Sequence, residues 1–381
     1  MALNWPRGFS AAGVAAGIKP DGEPDLGLLA ARDSTAWAGT FTQNAAAASC
    51  VDWCRATRGR PVRGIIVNSG NANACTGRPG AEAVVAEARA AAAGLGCSPD
   101  EVLVASTGPI GIALPVDNIV SSVPQLVSQL AQPIEPFARA ILTTDTVMKT
   151  STVAAGAARI TGVAKGAAML APNMATMLAF IATDAAFDSG QLEPLLREAV
   201  DRSFNRISVD ACESTNDSVF LLASGAGGPV PTDDFERGLR DVCCDLAEQM
   251  VRDGEGCTRT VRIEIEGARD DVTGLELGRA VAASALWRAA VHGADPNWGR
   301  VLSALGAVDR DLDLAAVDLS IGPELVFSRG EVTGSRSAAA KAMDSDQFTL
   351  RCVVGRGPGS AEVLCSDLSP EYVNLNSTGT L

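Results

Sequence analysis

Short apolar runs of strand length alternate along the chain with longer segments whose apolar residues recur at helical spacing. Residues 63–67 (RGIIV) and 101–105 (EVLVA) predict two buried strands, and each strand runs into a glycine-containing turn. Between them, Pro79 begins an alanine-rich helix that Gly94 or Gly96 ends. Strands and helices therefore alternate in this part of the chain.

Capping residues predict further helices in the middle of the chain. Asp188 is followed three residues later by Gln191, which is the spacing of a capping box, and Asp233 with Glu236 repeats it. A third helix is predicted over residues 279–291. Together with the strands, these helices indicate an α/β or α+β protein.

The length and composition allow a sizeable core and more than one domain. The chain has 381 residues, of which 47% are hydrophobic and 20% charged, and domains commonly have roughly 150 residues. No internal repeat or low-complexity linker divides the sequence. We place a soft boundary at residue 265, which gives a catalytic core over 1–265 and a smaller C-terminal α/β domain over 266–381.

The charge and the cysteines exclude several classes of protein. The net charge is −14 and no basic run is present, so we expect no nucleic-acid partner and no binding to anionic membranes. The first residues do not resemble a signal peptide, and no apolar run reaches the roughly 18 residues of a membrane span. The ten cysteines form no CxxC pair, so we expect buried, reduced thiols in a cytoplasmic protein.

The chain contains one histidine, and this limits the possible mechanisms. A histidine-based triad, or a metal site with two imidazoles, would have to use His292 or be abandoned. We interpret His292 as a structural residue at a helix end. An acyl-transfer enzyme with this sequence would therefore take its base from elsewhere.

Residues 164–184 offer such a base. From Thr176 onward the segment is almost wholly apolar and predicts a strand, and a proline and small residues precede it. Attack of the Thr176 hydroxyl on the carbonyl of Ala175, followed by hydrolysis of the ester, would free a chain that begins with Thr176. Its α-amine, with an ordinary pKa near 8, could then act as base for its own hydroxyl. Taken alone, the segment favours an ordinary buried strand over a nucleophile.

Four other residues have both a chemical and a structural interpretation. Thr107 and Gly108 follow a strand and resemble a pair of oxyanion donors, although a plain strand-to-turn exit has the same pattern. Lys165 is either a cation at a substrate site or a surface lysine. Glu255 follows a helix end, where its carboxylate would suit an ammonium group or simply face solvent.

An ordered set of motifs resembles the ornithine acetyltransferase (glutamate N-acetyltransferase) family of arginine-biosynthesis bifunctional proteins, within the N-terminal-nucleophile superfamily. Residues 165–178 are similar to the family's self-cleavage signature. The other matching segments follow the family's order over nearly the whole chain, and they are residues 17–19, 68–77, 106–111, 143–146, 214–217, 253–256, 295–300 and 372–376.

The resemblance implies cleavage between Ala175 and Thr176 into an α-chain of residues 1–175 and a β-chain from residue 176. Thr176 would take acetyl from N-acetylornithine, release ornithine and pass the acetyl group to glutamate in a ping-pong reaction. Thr107 and Gly108 match the oxyanion positions, and Lys165 belongs to the same catalytic set. The matching substrate-binding positions are Thr143, Lys165, Thr176, Glu255 and Asn376.

The family also implies a layered αββα core, neither metal nor coenzyme, and cleaved chains that assemble as α2β2. The chain departs from the family at Ala168, Pro109 and Leu381, and Thr380 would replace the hydroxyl that the family has at its C-terminus. Two alternatives stay open: an aminopeptidase or amidase with the same nucleophile and water as acceptor, or a catalytically silent amino-acid-binding paralogue. Use of acetyl-CoA as a donor, an additional amino-acid N-acetyltransferase activity, also stays open.

Overall fold

The computed structural model describes residues 3–170 and 177–377. In chain order the strands are β1 (Phe9–Val14), β2 (Leu26–Phe41), β3 (Val62–Ser69), β4 (Val102–Thr107), β5 (Lys149–Ala155), β6 (Ala158–Lys165), β7 (Leu178–Ala185), β8 (Ile207–Ser208), β9 (Ser218–Gly228), β10 (Thr260–Ala268), β11 (Asp318–Ile321), β12 (Glu324–Ser328), β13 (Glu331–Val332), β14 (Gln347–Val353) and β15 (Gly359–Ser366). The α-helices are α1 (Ser49–Thr57), α2 (Gly77–Leu95), α3 (Val116–Ser128), α4 (Glu135–Ala140), α5 (Ser189–Asp201), α6 (Thr232–Arg252), α7 (Asp271–Ala283), α8 (Ala285–His292), α9 (Trp298–Val308), α10 (Arg336–Met343) and α11 (Pro370–Ser377).

The first sheet has the order β4-β3-β2-β9-β7-β6-β5, and β1 also pairs with β2. The long strand β2 connects its two halves, because its first part pairs with β1 and β3 while residues 36–41 pair with β9. Helices α1 and α2 pack on β3 and β4, whereas α5 packs on β2 and α6 packs on β5 and β6. The predicted mixed α/β class is confirmed, and the helices flank the two halves of the sheet as an αββα order requires.

A row of aromatic rings fills the interior of the first unit, which consists of the first sheet and the helices packed on it. Phe180 on β7 lies 5.0 Å from Phe137 and 5.6 Å from Phe220 between ring centroids. Trp5 and Phe41 extend this row of rings. Trp5 lies 5.7 Å from Phe137, and Phe41 lies 5.7 Å from Phe220, between ring centroids. Five of the 16 Phe, Trp and Tyr residues in the sequence therefore lie together in this core.

The second sheet has the order β13-β12-β11-β14-β10-β15-β8. Strand β10 pairs in parallel with β14 and antiparallel with β15, and helix α7 covers both β10 and β15. The two-residue strand β8 comes from the middle of the chain and joins the edge beside β15. The predicted boundary at residue 265 falls within β10, and the division into two domains stays a prediction.

The local predictions for the first strands and helices are largely confirmed. Strands β3 and β4 occupy the two predicted runs, and α2 ends at Gly96, which adopts φ 67°. The Asp188 capping box is present, because its carboxylate accepts from the Gln191 N–H at 2.8 Å and the Gln191 side chain accepts from the Asp188 N–H at 3.0 Å.

Two details of the helix predictions are wrong: the cap of the helix predicted near Asp233, and the continuity of the helix predicted over residues 279–291. Helix α6 begins at Thr232 after Pro231 and has no side-chain cap, so Asp233 lies in the first turn, where its charge favours the helix dipole. The single helix predicted over residues 279–291 is two helices. Ser284 interrupts it with an extended backbone (ψ 103°), and its hydroxyl accepts from the Trp287 N–H to begin α8.

The cysteines are all free thiols, but only half are buried. Cys50, Cys54, Cys243, Cys352 and Cys365 are buried, while the exposed or half-buried ones are Cys75, Cys97, Cys212, Cys244 and Cys257. The expectation of generally buried thiols is therefore only partly correct. Within the described residues, no helix combines the length and apolar character needed to cross a bilayer.

Glu87 generates a prediction about stability. This carboxyl is fully buried in α2, neither of its oxygens has a hydrogen-bond partner among the described residues, and burial raises its pKa from 4.5 to about 8. Because the folded chain favours the protonated form, the stabilisation is complete below pH 4.5 and is lost as the pH rises towards 8.

We therefore expect Glu87→Gln to become progressively more stable than wild type as the pH rises from 5 to 8, by about 1.4 kcal/mol per pH unit. Urea unfolding at several pH values measures this difference. A difference that stays constant with pH would contradict a buried, neutral Glu87.

Candidate active site

The predicted oxyanion residues, Thr107 and Gly108, lie at the end of β4, and the backbone at Gly108 admits only glycine. Thr107 is buried, and its carbonyl accepts from the Asn71 N–H at 3.0 Å. Gly108 has φ 142°, and a Cβ there would lie 2.4 Å from the Asn71 nitrogen. No other residue fits at this close approach. Asn216 fixes the same region, because its side-chain amide donates to the carbonyls of Ala72 and Ser106 at 2.7 and 2.9 Å.

Lys165 lies at the end of β6 and joins two of the other predicted residues. Its Nζ donates to the Thr143 hydroxyl oxygen at 2.8 Å and to that of Thr107 at 3.1 Å. The side chain is only 2% exposed, and burial lowers the pKa of Lys165. The structure therefore brings Lys165, Thr107 and Thr143 together as a buried polar cluster.

A buried ionic network supports this cluster. Asp145 accepts from the Gly166 N–H at 2.7 Å, from Lys149 Nζ at 2.6 Å and from the Thr143 N–H at 3.1 Å. Burial by itself would raise the pKa of Asp145, but the charges of Lys165 and Lys149 and these hydrogen bonds hold it at about 2. The carboxylate is thus charged and stabilises both lysines.

Lys149 extends the network to the chain segment after α6. Its ammonium, with no exposed surface, also contacts the Asp253 carboxylate, which accepts from the Thr146 N–H at 3.1 Å. Asp253 is only two residues from Glu255. The ion pair therefore fixes the loop that carries Glu255 relative to the loop that carries Thr143.

Glu255 and Asn376 meet at a cavity of about 750 Å³ that Gly108 also lines. The Asn376 amide donates to the Glu255 carboxylate at 2.6 Å, and the Glu255 N–H donates to the Ala167 carbonyl at 2.8 Å. Asn376 reaches this position from α11, near the end of the chain. Gly108 and the Glu255 carboxylate therefore line one cleft.

Ala175, Thr176 and Thr380 lie outside the described residues. The chain on each side of residues 171–176 is held by a carboxylate. Before it, Asp210 accepts from the N–H groups of Met169 and Leu170. After it, Asp217 accepts from the Met177 N–H at 2.7 Å.

The sequence analysis assigned no role to Asp145, Lys149, Asp210, Asp217 or Asp253. Three of these carboxylates, Asp145, Asp217 and Asp253, lie within segments that matched the family, and Lys149 follows Asp145 by four residues. That pairing is the signal the sequence contained. Nothing along the sequence connects Lys149 with Asp253, because 104 residues separate them.

His292 ends α8 as predicted, and its Nδ1 lies 2.8 Å from the Asp367 carboxylate. Thr258 and Arg259 also donate to Asp367. This network ties the chain before β10 to the segment after β15. Within the part of the chain that the structure describes, no three histidine, cysteine or acidic side chains are grouped to hold a metal ion.

Comparison with known proteins identifies the family. The model of the ArgJ family matches residues 10–380. The chain belongs to the ArgJ family. The family predicted from the ordered motifs is thereby confirmed.

Relatives within the ArgJ family match over their full length. The arginine biosynthesis bifunctional protein ArgJ of Thermus thermophilus is 42% identical over 100% of both chains. That of Deinococcus radiodurans is 41% identical over 99% of this chain and 98% of its own. The crystal structure of the arginine biosynthesis bifunctional protein argJ from Bacillus halodurans is 33% identical and has a TM-score of 0.50. It covers 52% of this chain and 97% of that one.

The buried ion network generates a stability prediction. Lys149→Met removes the cation between Asp145 and Asp253 and leaves buried carboxylates without it, so we expect a loss of about 3–5 kcal/mol in the free energy of unfolding. The control is Arg139→Met, which breaks an exposed pair with Glu135 and is expected to cost about 0.5 kcal/mol. Chemical denaturation measures both, and similar losses in the two variants would contradict the network's role.

Proposed function

We propose that this chain is a glutamate N-acetyltransferase (ornithine acetyltransferase) that moves acetyl from N-acetylornithine to glutamate. The observation that carries the proposal is the Lys165 ammonium held between the Thr107 and Thr143 hydroxyls beside Gly108. Acetyl transfer needs donors and positive charge where a tetrahedral oxyanion develops. Full-length similarity to arginine biosynthesis bifunctional proteins supports the choice of substrates.

Activation begins with cleavage of the chain. The Thr176 hydroxyl attacks the carbonyl carbon of Ala175, the peptide bond becomes an ester, and water hydrolyses the ester. The products are an α-chain that ends at Ala175 and a β-chain whose free α-amine belongs to Thr176. That amine takes the hydroxyl proton of the same residue and so acts as the base that a histidine supplies in other acyl-transfer enzymes.

In the acetyl step, the Thr176 oxygen attacks the acetyl carbonyl of N-acetylornithine. Because Lys165 donates to the Thr107 oxygen, the hydroxyl hydrogen of Thr107 is available to donate to the oxyanion together with the Gly108 N–H. Ornithine leaves with the proton that the α-amine of Thr176 received from the Thr176 hydroxyl. The amine of glutamate then attacks acetyl-Thr176, its proton passes through the α-amine of Thr176 to the Thr176 oxygen, and N-acetylglutamate leaves as the bond to that oxygen breaks and the hydroxyl is restored.

The cleft has the size and polarity for amino-acid substrates. Its volume of about 750 Å³ is within the usual range for small-molecule sites. The Glu255 carboxylate suits a substrate ammonium group. The Asn376 amide would contact the substrate carboxylate, and we propose the same for Thr380. Thr143 and Lys165 complete the set near the reacting carbonyl.

The fold supports continued association of the two chains after cleavage. Strand β6, from the α-chain, pairs with β7, from the β-chain, and β2 likewise pairs with β9. Cutting one peptide bond leaves these ladders and the core between them in place. We propose an α2β2 assembly in the cytoplasm that needs neither metal nor coenzyme.

The cleavage proposal is tested by the intact mass of freshly purified wild type beside Thr176→Ala. We expect two wild-type chains, of which one begins at Thr176, and a single full-length chain in the variant. A single uncleaved wild-type chain would contradict the activation mechanism and favour an amino-acid-binding paralogue.

A product assay with N-acetylornithine and glutamate distinguishes the two enzymes. Free acetate instead of acetylglutamate would indicate an amidase.

The oxyanion proposal is tested with Thr107→Val, which keeps the side-chain shape and removes the hydroxyl. We expect kcat to fall about 10²–10³-fold, because one preorganised donor to the oxyanion is lost. Thr161→Val is the matched control, because Thr161 on β6 is likewise buried and, within the described part of the chain, its hydroxyl bonds only with that of Thr152; its kcat should stay near wild type. Steady-state kinetics of ornithine release measures both. Equal activity of Thr107→Val and wild type would remove Thr107 from the mechanism.

A further inference from the structure

The cleft of about 750 Å³ serves, in the proposed reaction, two substrates whose side chains carry opposite charges. N-acetylornithine has an ammonium group at the end of its side chain, whereas glutamate has a carboxylate there. In a ping-pong reaction the two substrates occupy the same cleft in turn, each with its reacting group near Gly108. The rest of the cleft must therefore accept a cation in one half-reaction and an anion in the other.

The charged side chains along the cleft differ in how far their neighbours neutralise them. Among the described residues that line the cleft, Arg252, Asp253 and Glu255 are charged. The buried Lys149 ammonium neutralises Asp253. Glu255 accepts at 2.6 Å from the Asn376 amide, a neutral partner that leaves its negative charge in place. That charge attracts the ornithine ammonium and repels the side-chain carboxylate of glutamate.

Arg252, in the last turn of α6, brings the positive charge to the described lining of the cleft. Its Nη2 donates to the Glu248 carboxylate at 2.6 Å and to the side-chain oxygen of Gln347 at 3.0 Å, so two acceptors orient the guanidinium. The N–H groups on Nε and Nη1 have no hydrogen-bond partner within residues 3–170 and 177–377. A guanidinium with unused donors is well suited to bind a carboxylate.

We propose that Arg252 binds the side-chain carboxylate of glutamate in the second half-reaction and thereby determines the choice of acceptor. The inference rests on the proposed function and deepens it. Glu255 serves the side-chain ammonium of N-acetylornithine in the first half-reaction, and Asn376 serves the α-carboxylate. Two side chains of opposite charge near the end of α6 therefore allow one cleft to accept both substrates in turn.

The kinetics of a ping-pong reaction separate the two substrates. The kcat/KM for N-acetylornithine reports only acetylation of the enzyme, and the kcat/KM for glutamate reports only transfer of the acetyl group to the acceptor. Removal of the Arg252 charge should lower the second value. The first should stay the same or rise slightly, because the ornithine ammonium loses a like charge nearby. A purely structural role for Arg252 would lower both values together.

The test is Arg252→Gln, which removes the charge from a side chain that is 58% exposed. We expect kcat/KM for glutamate to fall about tenfold, because a hydrogen bond between charged groups is lost. The kcat/KM for N-acetylornithine should fall by less than about twofold. Release of ornithine and formation of acetylglutamate, measured while each substrate is varied in turn, give the two values. Intact mass confirms that the variant is cleaved as wild type is.

Arg202→Gln is the matched control. Arg202 directly follows α5 and pairs with Glu198, four residues earlier, at 2.6 Å, as Arg252 pairs with Glu248. Its side chain is 56% exposed, but it lines a separate cavity beside β8. The control should keep both wild-type values of kcat/KM. If thermal melting shows that Arg252→Gln does not fold, Arg252→Met replaces it, because it also removes the charge and keeps an apolar stem.

The outcomes separate this inference from the proposed function. If wild type forms acetylglutamate and Arg252→Gln matches it in kcat/KM for glutamate, only the inference is overturned. An equal fall in both values overturns it as well, because that pattern indicates either a contact that both substrates share or a structural effect. A wild type that forms no acetylglutamate would instead remove the proposed function on which the inference rests.

Discussion

The Lys165 ammonium lies buried at the end of β6, between the hydroxyls of Thr107 and Thr143. A cation in such a position loses most of its hydration, and the charged Asp145 compensates for that loss. Asp145 is shared with Lys149, which in turn binds Asp253. One buried charge therefore requires a network that fixes the loops around the cleft.

Strand pairing explains how the first unit can tolerate a break in its chain. Strands β6 and β7, on the two sides of the proposed cleavage, lie next to each other and pair from Ile160 to Lys165. The core on both faces of β7 is continuous with helices α4 and α6. The chain beside the cleavage segment is held by the carboxylates of Asp210 and Asp217. The strand pairs, the core and these hydrogen bonds therefore hold the chain before Thr176 to the chain after it without the Ala175–Thr176 peptide bond.

The second unit contributes to the cleft through the end of the chain. Helix α11 follows β15 and brings Asn376 to Glu255, which itself follows α6. Close backbone approach fixes this contact, because a Cβ at Gly256 would lie 2.5 Å from the Tyr372 nitrogen. The cleft thus combines residues from the loop after β4, from the loop after α6 and from the C-terminal helix. The shape of the cleft consequently depends on the docking of α11.

The sequence by itself determined the mixed α/β class, the strands around residues 65 and 103, the Asp188 cap, and the family through its ordered motifs. These features depend on neighbouring residues or on a fixed order of segments, so they can be read along the chain. The sequence did not indicate the break at Ser284 or the uncapped start of α6. A repeat of apolar residues continues across such positions and does not show where the backbone leaves the helical conformation. Only the tertiary structure placed Lys165 against Thr107, paired Lys149 with Asp253 and brought Asp217 to the Met177 N–H. Those contacts join residues 40 to 104 positions apart, and burial, rather than local spacing, decides which charges must meet.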